Sequence, residues 1–226
     1  MQQVLAALKC QQAPHQIWQR AFDYDPQHLY TLVKYTPYVP GSGIMPSASC
    51  LIDYSLDLKY EEIQPDLFRC LFPLCLEAWH QHLFASARVS QYSAFVEYFL
   101  DTLNARPFLQ DLLDEQEYEI IVAFIRNSIL DRLDQEPGIL FSRESATVYV
   151  WFGELSAFAV IFPLLERLWN EWWSMKTPGH AMAVLQYISC LLYLKDENPI
   201  FAPWTPQDGG GPPELWEMGV LSNEKG

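Results

Sequence analysis

Glu115–Asp134, EQEYEIIVAFIRNSILDRLD, decides the fold class. Its apolar residues Tyr118, Ile121, Val122, Ile125, Ile129 and Leu133 recur at helical spacing and form one stripe. Glu119, Arg126, Asn127 and Arg132 fall off that stripe. The pattern predicts a helix with one face in a core and the other in water. Because it lasts five turns, it sets the expectation for the segments on either side.

Toward the N-terminus, Pro65 suits the first turn of a helix running to about Phe84. Pro73 lies inside that pattern and is expected to kink or split it, since proline donates no N–H and clashes with the preceding turn. Ser90 reads as the cap of a helix to Asn104, with Tyr92, Phe95, Val96, Phe99 and Leu103 on its apolar side. Arg106-Pro107 ends it.

Toward the C-terminus, a helix is expected from about Ser142 and another from Pro163 to about Met175. Thr177-Pro178 reads as a cap followed by proline in the first turn, opening a helix to about Leu194. Thr147 to Leu165, TVYVWFGELSAFAVIFPLL, is nearly long enough for a membrane span. It contains Gly153, Glu154 and Pro163, and a central acid is costly in hydrocarbon, so it reads as a core helix.

The first 60 residues are mixed. Short helices are expected over 2–12 and from Ile17 to Phe22, and Asp25-Pro26 opens another through about Lys34. A Pro-, Gly- and Ser-rich loop covers 36–49, and LIDYSLDLKY (51–60) partly alternates as a strand would. After Lys195 the chain becomes rich in Pro and Gly. The fold class is therefore mainly α: an antiparallel helical bundle or a short helical solenoid. It carries an irregular N-terminal region with room for one short strand pair, and a Pro/Gly-rich C-terminal tail. As domains this is one body over 1–195, comprising an irregular part (1–60) and a helical part (61–195), followed by a tail over 196–226.

Half of the 226 residues are apolar, ample for a packed core, so global disorder is excluded. The five cysteines are odd in number and lack a CxxC; they read as small buried hydrophobes in a reducing compartment. The N-terminal segment has no basic region or long apolar run of a secretory signal, which makes the cytoplasm the expected location.

The net charge of -14 is local. Residues 61–140 hold fourteen acids and five bases, and 196–226 hold six acids and one base, whereas 1–60 and 141–195 are each balanced. Fourteen Lys and Arg against 28 acids disfavour nucleic acid and anionic membranes as ligands. A basic protein is the natural complement. The densest point is DLLDEQEYE, with Asp111, Asp114, Glu115, Glu117 and Glu119 around Tyr118. Acids collect at helix N-termini because the dipole there favours them, which accounts for the cluster without any partner. As a functional surface, the same six residues would dock a basic partner with Tyr118 as an aromatic anchor. Changing Glu115, Glu117 and Glu119 to lysine is then expected to weaken docking and leave the fold intact.

No cofactor or metal motif stands out. His80 and His82 in Trp79-His80-Gln81-His82 point about 200° apart on a helix and cannot share one ion, so one is expected buried and the other exposed. Glu77 and His80 form a single Glu-x-x-His where di-iron bundles need two. Gly41-Ser42-Gly43 and Gly209-Gly210-Gly211 lack the strand-to-helix setting of a phosphate cradle. Trp169, Trp172 and Trp173 share a helical face, as core or as an apolar patch. Three functions follow. One is a non-catalytic inhibitor or regulator of the immunity or antitoxin type. The second is an enzyme assembled around Glu77, His80 and His82. The third is a structural subunit of a larger assembly.

Overall fold

The computed structural model describes residues 1–8, 45–59, 62–85, 92–105, 107–135 and 165–192. Among these it contains eight helices and no strand: α1 (Gln2–Leu8), α2 (Ala48–Asp57), α3 (Pro65–Leu83), α4 (Ser93–Ala105), α5 (Phe108–Leu112), α6 (Glu115–Asp134), α7 (Leu165–Trp173) and α8 (Pro178–Leu192). The mainly α expectation holds for this part of the chain. The helices expected over 17–22, 25–34 and from Ser142, the stretch 147–164 and the tail lie outside the described residues. No helix among the described residues is long and apolar enough to cross a membrane.

The chain forms two compact units, Met1–Ser128 with Phe158–Val160 and Ile129–Ala157 with Ile161–Gly226. In the first unit α2 packs most extensively on α4, and α3 packs on α1, α2 and α4. The core centres on rings from three helices. Phe68 stacks on Phe72 at 4.7 Å between ring centres, Phe95 stacks on Phe99 at 5.3 Å, and Phe72 meets Phe99 at 6.0 Å. Phe108 presents its edge to Phe68 and Phe72. All five rings are fully buried, and each contributes roughly 1.5–3 kcal/mol through apolar surface removed from water.

Residues 51–60 correct the sequence reading. Of these, 51–57 belong to α2 rather than to a strand, and Ser47 caps that helix by accepting from the Cys50 N–H. Leu51, Tyr54, Ser55 and Leu58 are buried at spacings of three, four and seven, a helical period that the partial alternation had masked. Pro73 does not split α3, which runs through it as one helix, and the proline itself is buried. Thr102 ties α4 to α2, its hydroxyl donating to the Ser55 carbonyl at 2.9 Å, and Lys59 pairs with Asp101.

The cysteines divide. Cys50 and Cys75 are free and buried, and burial pushes the Cys75 thiol far up, which keeps it protonated and inert. Cys70 is disulfide-bonded, with its partner outside the described side chains. The reading of all five cysteines as reduced therefore fails at Cys70.

In the second unit the end of α6 meets the start of α8. Thr177 caps α8 by accepting from the His180 N–H at 3.1 Å, as its Thr-Pro pair predicts. Gly179 lies so close to α6 that a β-carbon there would sit 1.8 Å from the Asp134 carbonyl oxygen. His180 Nε2 approaches the Leu130 carbonyl at 3.3 Å, which assigns the proton to that nitrogen because a carbonyl only accepts. Trp172 is fully buried and donates its indole N–H to the His180 carbonyl. Trp169 and Trp173 stack at 4.6 Å, and Tyr187 of α8 packs its edge against Trp169 and Trp172. Trp169 and Trp173 are half-buried, so the tryptophan face is core on one side only.

Candidate functional site

The acidic stretch 111–119 is built on the start of α6. Asp114 and Glu117 cap that helix reciprocally. The Asp114 carboxylate accepts from the Glu117 N–H at 2.8 Å, and the Glu117 carboxylate accepts from the Asp114 N–H at 3.0 Å. This satisfies two backbone donors that a helix start leaves without intrahelical partners.

Glu117 does more than cap. Arg69, from the first turns of α3, grips it in a fork, Nη1 to Oε1 at 2.6 Å and Nη2 to Oε2 at 3.0 Å. The same Nη1 reaches the Leu8 carbonyl at the end of α1, at 3.3 Å. The bond to Glu117 raises the proton affinity of the guanidinium, so the pair stays ionic. The Glu117 side chain is only 8 % exposed and that of Arg69 30 %. One guanidinium therefore joins α1, α3 and α6.

This divides the six residues singled out from sequence. Asp111, Asp114, Glu115 and Glu119 are exposed, Tyr118 is half-buried, and Glu117 is buried in the Arg69 clamp. Glu115 and Glu119 lie one turn apart on α6 and share a face. The expectation that all three glutamates could become lysine without harm to the fold is therefore corrected. At 117 a lysine would bring a second cation against Arg69 and remove the cap. Sequence reasoning missed Arg69, whose distance of 48 residues from Glu117 leaves no local trace. The D-x-x-E spacing of Asp114 and Glu117 was the available sign that one acid of the cluster is committed to the helix itself.

Glu77, His80 and His82 do not converge. Glu77 is buried and accepts from Gln81 on its own helix at 3.1 Å. His80 Nδ1 lies 3.1 Å from the Ser128 hydroxyl, and its ring rests against Phe84 and Phe124 at 4.7 and 5.5 Å. His82 is half-buried, its Nδ1 enclosed without a hydrogen-bond partner. Burial lowers its pKa, which the nearby Glu97 carboxylate partly offsets. The expected split into one buried and one exposed histidine is not seen, since both are half-buried. The Ser128–His80 pair has the composition of a nucleophile and its base. Ser128, however, is 3 % exposed in the middle of α6, where the backbone N–H groups are committed to the helix and cannot form an oxyanion hole. The pair tethers α3 to α6. Among the described residues no three His, Cys, Asp or Glu side chains are grouped to hold a metal ion.

Compared with known proteins, the chain matches no family model, no curated protein and no solved structure.

Proposed function

We propose that the chain is a non-catalytic acidic interaction protein that binds and neutralises or regulates a basic protein partner, in the manner of an immunity or antitoxin-type inhibitor. Its docking surface is formed by Asp111, Asp114, Glu115 and Glu119, on a helical scaffold of bundle or short-solenoid type. The observation that supports this is the local imbalance of charge. Residues 61–140 hold fourteen acids against five bases, and one of those bases, Arg69, is engaged by Glu117. The exposed acids around the start of α6 thus project a negative field that would speed encounter with a cationic surface.

Cytoplasmic location is part of this proposal. The Cys70 disulfide weighs against it, because disulfides persist mainly in oxidising compartments.

The test compares the parent with the Glu115→Lys/Glu119→Lys variant, which leaves the Arg69 clamp in place, as baits in native lysate. The expected result is a basic protein captured at low salt by the parent, released at high salt and absent from the variant. The same proteins on both baits at low salt would exclude this surface as the docking site.

A further inference from the structure

We draw no further inference here: the strongest candidate, the half-buried tryptophan and tyrosine cluster of Trp169, Trp173 and Tyr187 on α7 and α8, is an apolar face with nothing in the structure to show what covers it.

Discussion

Glu117→Lys separates the two roles mixed within one acidic run. The substitution removes two interactions: the fork from Arg69 and the acceptor for the Asp114 N–H. Breaking a fully buried ion pair costs about 3–5 kcal/mol, and an exposed one about 0–1 kcal/mol. With Glu117 buried and Arg69 nearly one-third exposed, the pair falls between these limits, at about 2 kcal/mol. Losing the cap adds about 1 kcal/mol. The total, about 3 kcal/mol, is expected to lower the urea midpoint by roughly 1 M for a slope near 3 kcal/mol/M. Glu115→Lys/Glu119→Lys removes only exposed charge, and its shift should stay below roughly 0.4 M, from the weaker helix-dipole contribution. Far-UV circular dichroism during urea titration reads both. Equal midpoints for Glu117→Lys and the parent would refute the clamp as a stabilising element. A large shift in the double variant would show that the exposed acids are structural and cannot be treated as a free docking face.

Other outcomes follow from the second histidine, the glycine contact and the thiols. Burial sets the His82 pKa below that of the unfolded chain, so its contribution to stability is complete above about pH 6.5 and is lost as pH falls toward the folded value. Urea midpoints of the parent should therefore drop faster than those of His82→Gln between pH 6.5 and 5, and parallel curves would contradict the burial. Gly179→Ala places a methyl group inside the Asp134 carbonyl, where only backbone can give way. The expected loss is about 3 kcal/mol or more, visible as a lower melting temperature by tryptophan fluorescence, and an unchanged melting temperature would contradict that approach. Thiol titration of unreduced, denatured protein should find three of the five cysteines free, whereas five would leave Cys70 reduced. In the native protein Cys75 should resist alkylation until unfolding.

Much of the helical content was legible because it depends on local periodicity. Ile121, Val122, Ile125, Ile129 and Leu133 are all buried, as are Tyr92, Phe95, Val96, Phe99 and Leu103. Thr177-Pro178 announced α8, since capping chemistry is confined to a few adjacent residues. The α2 helix was misread because LIDYSLDLKY satisfies a period of two in part, and the cap that distinguishes it, Ser47, sat inside a stretch taken as loop. Pro73 was expected on local grounds to kink or split α3, yet the helix is not split there. The candidate site was legible as a density of charge. Which of its acids faces inward was not, because that depends on an arginine supplied by another helix. Likewise the Gly179 contact joins residues 45 apart and leaves no mark on its neighbours.

The Arg69 clamp also orders events during synthesis. Its three members lie at positions 8, 69 and 117, so Arg69 and the first helix are both made before the last acceptor, Arg69 by 48 residues. At about 5–20 residues per second this interval lasts roughly 2–10 s. Throughout it, Arg69 has no carboxylate from α6, and the apolar side of α1 can meet α3 but cannot be locked there. The nascent chain therefore passes through a stage in which its opening helix is held by packing alone, and the charge that fastens it arrives only when translation has passed the halfway point of the chain.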